Sequence, residues 1–313
     1  AQDVVKGIIH ICITMHHCMV MHFVLYWFGK AACAMKSVYM LMHDQKPNIE
    51  EIAATVAEKL HKARIHTSAE PWLFERMQKT GHQPFLSSEP DQCEAILAVG
   101  GDGTLLRANT LSMQLDLPLL GINVGRVGFL TELEMDQLEK AFEKLAADDY
   151  TIQERMMLKI TLDERRCYAL NDVVVSRGGY ARLIGMDAFV DQDLVGRFIA
   201  DGLIVSTPTG STGYSLSAGG PIICPEVECM LLTPVCAHSL QHRPVVTSAE
   251  QTVSIKLTDA AQAMVSVDGQ ENFTLFAGQT LTVTRASRPA RFIKLEPRSF
   301  FSTIRIKLSE WSC

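Results

Sequence analysis

Glu94-Ala-Ile-Leu-Ala-Val-Gly-Gly-Asp-Gly-Thr-Leu-Leu-Arg107 is the stretch on which the fold turns. Ala95–Val99 is an apolar run of strand length that leads straight into Gly100-Gly-Asp-Gly103, and Thr104 then opens an apolar, helix-like segment. Glycines at such a turn let the backbone approach a ligand closely, because no Cβ stands in the way. Between a strand and a helix N-terminus, the turn's free N–H groups point at anything anionic, typically a phosphate. It is not a Walker loop, since no Gly-Lys-Ser/Thr follows, and it lacks the dinucleotide spacing G-x-G-x-x-G. Asp102 is the chemical oddity. A carboxylate among phosphate-binding amides repels its ligand unless it binds a metal or takes a proton from a reacting hydroxyl. Taken alone, the tetrapeptide also fits a tight turn with a solvated aspartate.

On either side of this stretch the pattern alternates strand and helix. Ser37–Met42 reads as a first strand, and Asn48, with Glu51 at the capping-box position, as the start of a helix. That helix carries the apolar stripe Ile49, Ile52, Ala53, Val56, Ala57, Leu60 and Ala63. A short strand near Ile65 follows, then a helix over Glu70–Lys79 stopped by Gly81. Downstream, Pro118–Asn123 is another apolar run, and Met135, Leu138, Phe142 and Leu145 share a helical face. Alternating β and α segments predict a Rossmann-like domain over 35–150, a parallel sheet covered by helices, with ligands at the carboxyl ends of its strands.

The 313 residues suffice for two domains, and a formal charge of −6 argues against a protein held to nucleic acid by general electrostatics. The nine cysteines are odd in number, irregularly spaced and without C-x-x-C, which fits a reducing cytoplasm. Ile8–Phe28 is apolar enough to span a bilayer, but His10, His16, His17 and His22 would then lie at membrane depth. Residues 1–34 are therefore expected to be an apolar extension, with membrane association the lesser reading. Cys224, Cys229, Cys236, His238 and His242 fit no common structural zinc spacing.

After about residue 150 helical periodicity fades. Ile184–Val190 and Leu194–Ile199 flank Asp191-Gln-Asp193 as a hairpin; Val253, Ile255 and Leu257 alternate, as do Val265 and Val267 before the turn Asp268-Gly269. The expectation is a mostly β domain over 151–290, sandwich-like in two layers or a closed sheet, with 291–313 returning to the first domain. Two stretches here exceed ordinary hairpins. One is Asn171-Asp172 before Val173-Val-Val175. The other is Asp201-Gly-Leu-Ile-Val-Ser-Thr-Pro-Thr-Gly-Ser-Thr-Gly-Tyr-Ser-Leu-Ser217. Its hydroxyls at Ser206, Thr207, Thr209, Ser211 and Thr212 are expected to hold phosphate and sugar oxygens, and Tyr214 offers a flat face for a base.

In order along the chain stand Gly100-Gly-Asp-Gly-Thr104, Gly121-Ile-Asn-x-Gly-x-x-Gly-Phe-Leu130, Asn171-Asp172, Asp201-Gly202, Thr207-Pro-Thr-Gly-Ser-Thr-x-Tyr-Ser215, Pro234, His238-Ser-Leu240 and Arg243-Pro244. With these the chain resembles the NAD kinases from about Met35 to nearly its C-terminus. The resemblance implies phosphorylation of the adenosine-ribose 2′-hydroxyl of NAD by ATP with a divalent metal, magnesium, to give NADP, by an α/β domain and a β domain with the site in the crevice between them, usually in a homo-oligomer (dimer or tetramer). Asp102 matches the catalytic base, with Gly101 and Gly103 beside it and Arg107 at a basic position used near phosphate. Asn123 falls in the second glycine motif. Asn171 and Asp172 match the pair that holds the adenosine half of the dinucleotide. Asp201 matches an acid on the nicotinamide side, often of a neighbouring subunit's ligand. Thr209 lies in the long loop, whose Thr212, Gly213, Tyr214, Ser215, Leu216 and Ser217 match the adenine-pocket lining, with Phe129 and Tyr214 as aromatic walls. Arg182 and Gln270 match less constant binding positions. Gly213 departs from the usual Ala and Asp172 from the commoner Glu. A lipid kinase of the diacylglycerol or sphingosine type shares the Gly-Gly-Asp-Gly-Thr motif but has no use for the long loop. A dinucleotide-binding module without catalysis is the non-enzyme alternative.

Overall fold

β3 (Ala95–Gly100) lies at the middle of the first domain, and its sequence explains why. Ala95, Leu97 and Val99 face one apolar cluster while Ile96 and Ala98 face another, so the strand is buried on both sides. This is the continuous apolar run expected of a parallel strand covered by helices. The computed structural model describes residues 34–43, 48–81, 85, 87–90, 92–125, 128–131, 133–178, 183–239, 241–296 and 299–310. The expected N-terminal extension, all but Ala34, and Arg182 lie outside the described residues.

The chain enters through β1 (Ser37–Met42) and α1 (Ile49–Lys62), then β2 (His66–Ala69) and α2 (Pro71–Lys79). β3 runs into α3 (Asp102–Leu115), followed by β4 (Leu119–Asn123), the short β5 (Leu133–Glu134), α4 (Leu138–Ala146) and β6 (Thr151–Arg155). α3 starts at Asp102, two residues ahead of Thr104. Asn48 does not cap α1. Its backbone is left-handed (φ 59°) and its side chain makes no capping bond, which removes the expected capping box. α1 is instead fixed by burial of Ile49, Ala53, Val56 and Leu60, the stripe read from its spacing.

The second half is built from β7 (Leu158–Leu162), β8 (Arg165–Ala169), β9 (Asp172–Ser176), β10 (Ile184–Val190), β11 (Asp193–Ala200) and β12 (Gly202–Ser206). A 3-10 turn (Thr209–Thr212) and the single-turn α5 (Tyr214–Ser217) precede β13 (Cys229–Val235), β14 (Val245–Ser248), β15 (Val253–Leu257), β16 (Gln262–Val267), β17 (Glu271–Phe276) and β18 (Thr280–Arg285). β19 (Ala290–Lys294) and α6 (Phe300–Glu310) close the chain.

These strands form three sheets. The first has the order β2-β1-β3-β4-β19-β6, parallel except for β6, with β5 on β4. β19, near the end of the chain, pairs in parallel with β4 at Phe292 opposite Leu119. Thr151–Arg155, assigned from sequence to the second domain, pairs with β19 in the first sheet, so that assignment is corrected by one strand. The other sheets, β11-β10-β15-β18-β7-β8 and β14-β13-β12-β9-β16-β17, are antiparallel and enclose a core that includes Val173, Val175, Leu203, Val205, Ile255, Val265 and Leu281. α3 is wedged where the halves meet: its Leu105 and Ala108 share a cluster with Ile96 and Phe292 of the first sheet and with Met157 and Leu170. Among the described residues no helix is long and apolar enough to cross a membrane.

Candidate active site

Period-2 alternation sets up the site. On β9, Val173 and Val175 point into the β core, so Asp172, Val174 and Ser176 face outward. On β16, Ser266 lies opposite Val174 and faces the same way. These residues, with Asn171, Tyr214, Asp268 and Leu106 of α3, line a cleft of about 390 Å³. Leu106 is one helical turn beyond Asp102, and the Gln270 side-chain amide reaches the Gly103 carbonyl at 3.5 Å. The β-domain cleft therefore abuts the first turn of the helix that carries Asp102.

Asp102 is held by bare backbone. Its carboxylate accepts the N–H of Phe129 at 2.9 Å and that of Leu130 at 3.2 Å. The glycines around it divide the work. A Cβ on Gly100 would stand 2.2 Å from the Thr104 hydroxyl, so Gly100 serves packing, whereas Gly101 and Gly103 face open space on that side. The first-turn N–H groups of a helix have no intrahelical partners, which leaves this opening suited to an anion.

Asn171 and Asp172 both reach the cleft. The Asn171 Oδ1 is buried without a hydrogen-bond partner among the described residues, an acceptor that a ligand N–H or O–H would satisfy. Burial, then the charge of Asp268, pushes the Asp172 carboxyl up to about 7. Asp268 is also raised by burial, against the pull of the N–H groups it accepts from Leu170, Asp172 and Asn171. Neither Asp268 nor Gly128 was assigned a role from sequence; Asp268 read only as a turn residue, and Gly128 only as part of a glycine motif.

Several expected site residues are committed elsewhere. Arg107 makes a bidentate ion pair with Glu70 (2.9 and 3.0 Å) and bonds the Met42 carbonyl, which ties it to the end of β1. The loop hydroxyls donate to backbone: Thr207 to the Leu170 carbonyl just before β9 (2.6 Å), and, within the loop, Ser211 to that of Pro208 (2.6 Å) and Thr212 to that of Thr209 (3.1 Å). Thr209 is buried, and Ser215 is buried against the Thr233 hydroxyl at 2.8 Å, so it faces β13. Tyr214 is exposed on the cleft, and Gly213 stands beside Asn171 and Asp172, while Leu216 and Ser217 do not line the cleft. Phe129 does not line this cleft. Its ring lies under the Lys307 ammonium of α6, at 5.7 Å, and lines a separate cavity of about 840 Å³. Asn123, at the end of β4, donates to the Gly125 carbonyl at 3.2 Å and keeps a buried Oδ1 without a described partner. Asp201 pairs with Arg177 at 3.1 Å. It sits opposite Arg177, one residue beyond the other end of β9 from Asp172 and roughly 17 Å away along the strand.

Residues 30–150 match the N-terminal domain of the ATP-NAD kinases, and residues 170–295 match their C-terminal domain. The NAD kinase of Moorella thermoacetica is 41% identical over 283 residues, covering 88% of this chain and 90% of that protein. That of Heliobacterium modesticaldum is 39% identical over 284 residues, covering 88% and 99%. Among solved structures, yeast NADH kinase complexed with NADH superposes with a TM-score of 0.78 at 26% identity, covering 88% of this chain and 86% of that one. An Archaeoglobus fulgidus NAD kinase in complex with ATP gives 0.64 at 27% identity, covering 83% and 94%.

Proposed function

The chain belongs to the NAD kinase family and transfers phosphate from ATP to NAD; from that premise we propose that the acceptor is the 2′-hydroxyl of the adenosine ribose and that Asp102 takes its proton. The observation that supports this reading best is the Gln270–Gly103 contact, which sets the Asn171–Asp172 cleft against the turn bearing Asp102. In the reaction the ribose oxygen bonds to the terminal phosphorus, the bond from that phosphorus to the bridging oxygen breaks, ADP leaves, and the hydroxyl proton passes to a carboxylate oxygen of Asp102. The Phe129 and Leu130 N–H groups keep that carboxylate aimed while lone pairs remain for the proton.

Asp172 accepts ribose hydroxyls, the free Asn171 Oδ1 accepts a donor from the adenosine, and Tyr214 offers the base a stacking face. Asp201, on the nicotinamide side, completes the site. Magnesium binds through one or two carboxylates together with substrate phosphates. Among the described residues no three His, Cys, Asp or Glu side chains gather to cage a cation. Asp102 is the carboxylate of this turn that fits an ion carried in on ATP, and such an ion would offset the charge it shares with the phosphates. A homo-oligomer, dimer or tetramer, is supported by the exposed Leu194, Ile199 and Val246 on edge strands. A cytoplasmic location suits Cys167, Cys224, Cys229 and Cys236, thiols that are not joined in disulfides. A lipid acceptor would leave the Asn171–Asp172 cleft without a task, and a non-catalytic module would leave Asp102 without one.

The test is incubation with ATP, magnesium and NAD, with NADP measured against a protein-free control. A folded sample that forms no NADP above the control would sink this reading.

A further inference from the structure

Asp268 sits in left-handed backbone (φ 50°) at the β16–β17 turn and sends its carboxylate back to the start of β9. There it accepts the N–H of Leu170 at 2.7 Å, of Asn171 at 2.8 Å and of Asp172 at 3.0 Å. A return bond runs from the Asp268 N–H to the Asp172 carbonyl at 2.9 Å. From the opposite side Thr207 holds the same segment, through its N–H to the Asn171 carbonyl (2.8 Å) and its hydroxyl to the Leu170 carbonyl. Gly210 presses on this backbone so closely that a Cβ would stand 2.1 Å from the Asn171 carbonyl oxygen.

We propose that Asp268 is a positioning residue for the acceptor dinucleotide: its carboxylate fixes the Leu170–Asp172 backbone, so that the Asn171 and Asp172 side chains stand in the cleft already oriented. The proposal rests on the NAD kinase reading of this site. A hairpin does not need such a carboxylate, because Gly269 (φ 68°) and the Gln270 N–H to the Val267 carbonyl already close the turn. Placing it beside Asp172 sets two buried acids against each other. The titratable groups lining the cleft are Asp172, Asp268 and Tyr214, and no lysine, arginine or histidine stands among the described lining residues to neutralise them. The arrangement stabilises one backbone geometry at an electrostatic cost, which is the signature of a preorganised site.

Two substitutions suit the left-handed backbone, so both variants should fold. Asp268→Asn keeps the shape but turns an NH2 toward backbone donors, and Asp268→Gly removes the side chain. NAD affinity by calorimetry and NADP formation are followed across roughly pH 5.5 to 8.5, a range that brackets the Asp172 titration. We expect the Kd and KM for NAD to rise about tenfold or more in both variants. kcat should stay within about threefold and the KM for ATP should not move. In the unsubstituted protein, NAD affinity should climb with pH through about 7 as Asp172 takes the charge that attracts ribose hydroxyls. In Asp268→Asn that climb should shift to lower pH, because the like charge is gone, an effect a purely structural role would not produce. NAD affinity unchanged in both variants, a fall in kcat with affinity intact, or an unmoved pH profile would each overturn the proposal. Unsubstituted protein that binds NAD but forms no NADP would end the kinase reading, while the binding measurements would still decide the role of Asp268.

Discussion

A methyl group on Gly128 would stand 2.0 Å from the Asp102 Oδ1 and 2.8 Å from its Cγ. The bare backbone at 128 is what allows the carboxylate to nest against the N–H groups of Phe129 and Leu130. Gly128→Ala should therefore push Asp102 off its mark. We expect NADP formation to fall about a hundredfold, the scale of a 1 Å misplacement. The fold should survive, because the clash is confined to the Asp102 and Thr131 side chains and one loop. Activity within a few-fold of the parent, with an unchanged melting curve, would show that the loop yields instead.

Asp102→Asn tests the base itself. It keeps the shape, removes the proton acceptor and turns an amide toward one of the two N–H donors. General-base assistance is typically worth about 10²–10⁴-fold, so kcat should drop by about two orders of magnitude or more. NAD affinity should change far less, since Asn171 and Asp172 are untouched. Steady-state NADP formation beside calorimetric NAD binding separates the two, and near-parental turnover would mean that the proton leaves by another route.

Stability should depend on pH through Asp172. Its carboxyl is raised from 3.8 to about 7 on folding, first by burial and then by Asp268. Between those values the folded chain binds the proton and the unfolded chain does not, so stability falls as pH rises across that window. Asp268, raised in the same direction, adds to the slope. Tm measured from about pH 4 to about pH 8 should decline less steeply in Asp172→Asn than in the parent. Parallel curves would show that the buried carboxyl ionises as freely as an exposed one.

Neighbouring glycines of the long loop should respond in opposite ways. At Gly210 a Cβ would stand 2.1 Å from the Asn171 carbonyl oxygen and 2.5 Å from its carbon, with clamped backbone that has no room to retreat. At Gly213 a Cβ would meet the Asn171 Nδ2 at 3.6 Å and the Asp172 Oδ2 at 3.9 Å, ordinary contacts, with a tighter 3.3 Å approach to the Gly210 carbonyl oxygen. Gly210→Ala should weaken NAD binding by about tenfold or more. Gly213→Ala should leave affinity and kcat within about threefold of the parent. Equal NAD titrations for the two variants would contradict this account of the loop.

Much of this architecture was legible in the residues, for identifiable reasons. β1 matches the apolar run Ser37–Met42 residue for residue, and β3 and β4 were marked by apolar runs ending in glycine or asparagine. Such strands are buried on both faces, so composition alone betrays them. β6 was misassigned because Thr151–Arg155 carries polar, largely exposed residues at a sheet edge, and its partner lies far along the chain. The site was legible as motifs but not as contacts. A hydroxyl in a loop sequence looks the same whether it meets ligand or backbone; Ser211 and Thr212 donate within their own turn, and Thr207 donates across to Leu170. Arg107 looked available until Glu70, distant in sequence, was seen to hold it. Asp268 was hidden for the converse reason: Asp-Gly is an ordinary turn, and only the tertiary path of β9 gives its carboxylate three partners.

β19 lies between β4 and β6 in the first sheet, pairing with β4 at Phe292 opposite Leu119 and with β6 from Ala290 to Lys294. Synthesis runs in the other direction. A ribosome delivers β4 and β6 early, then the whole second half, and only afterwards the strand that joins them. Until residue 294 has emerged, β4 keeps an edge covered only by the short β5 at its carboxyl end and β6 has no neighbour, a state open to pairing with other chains. The half that carries Asp102 is therefore completed last although it is made first, and a chain cut short before residue 290 would end as an open sheet rather than as a free-standing α/β unit.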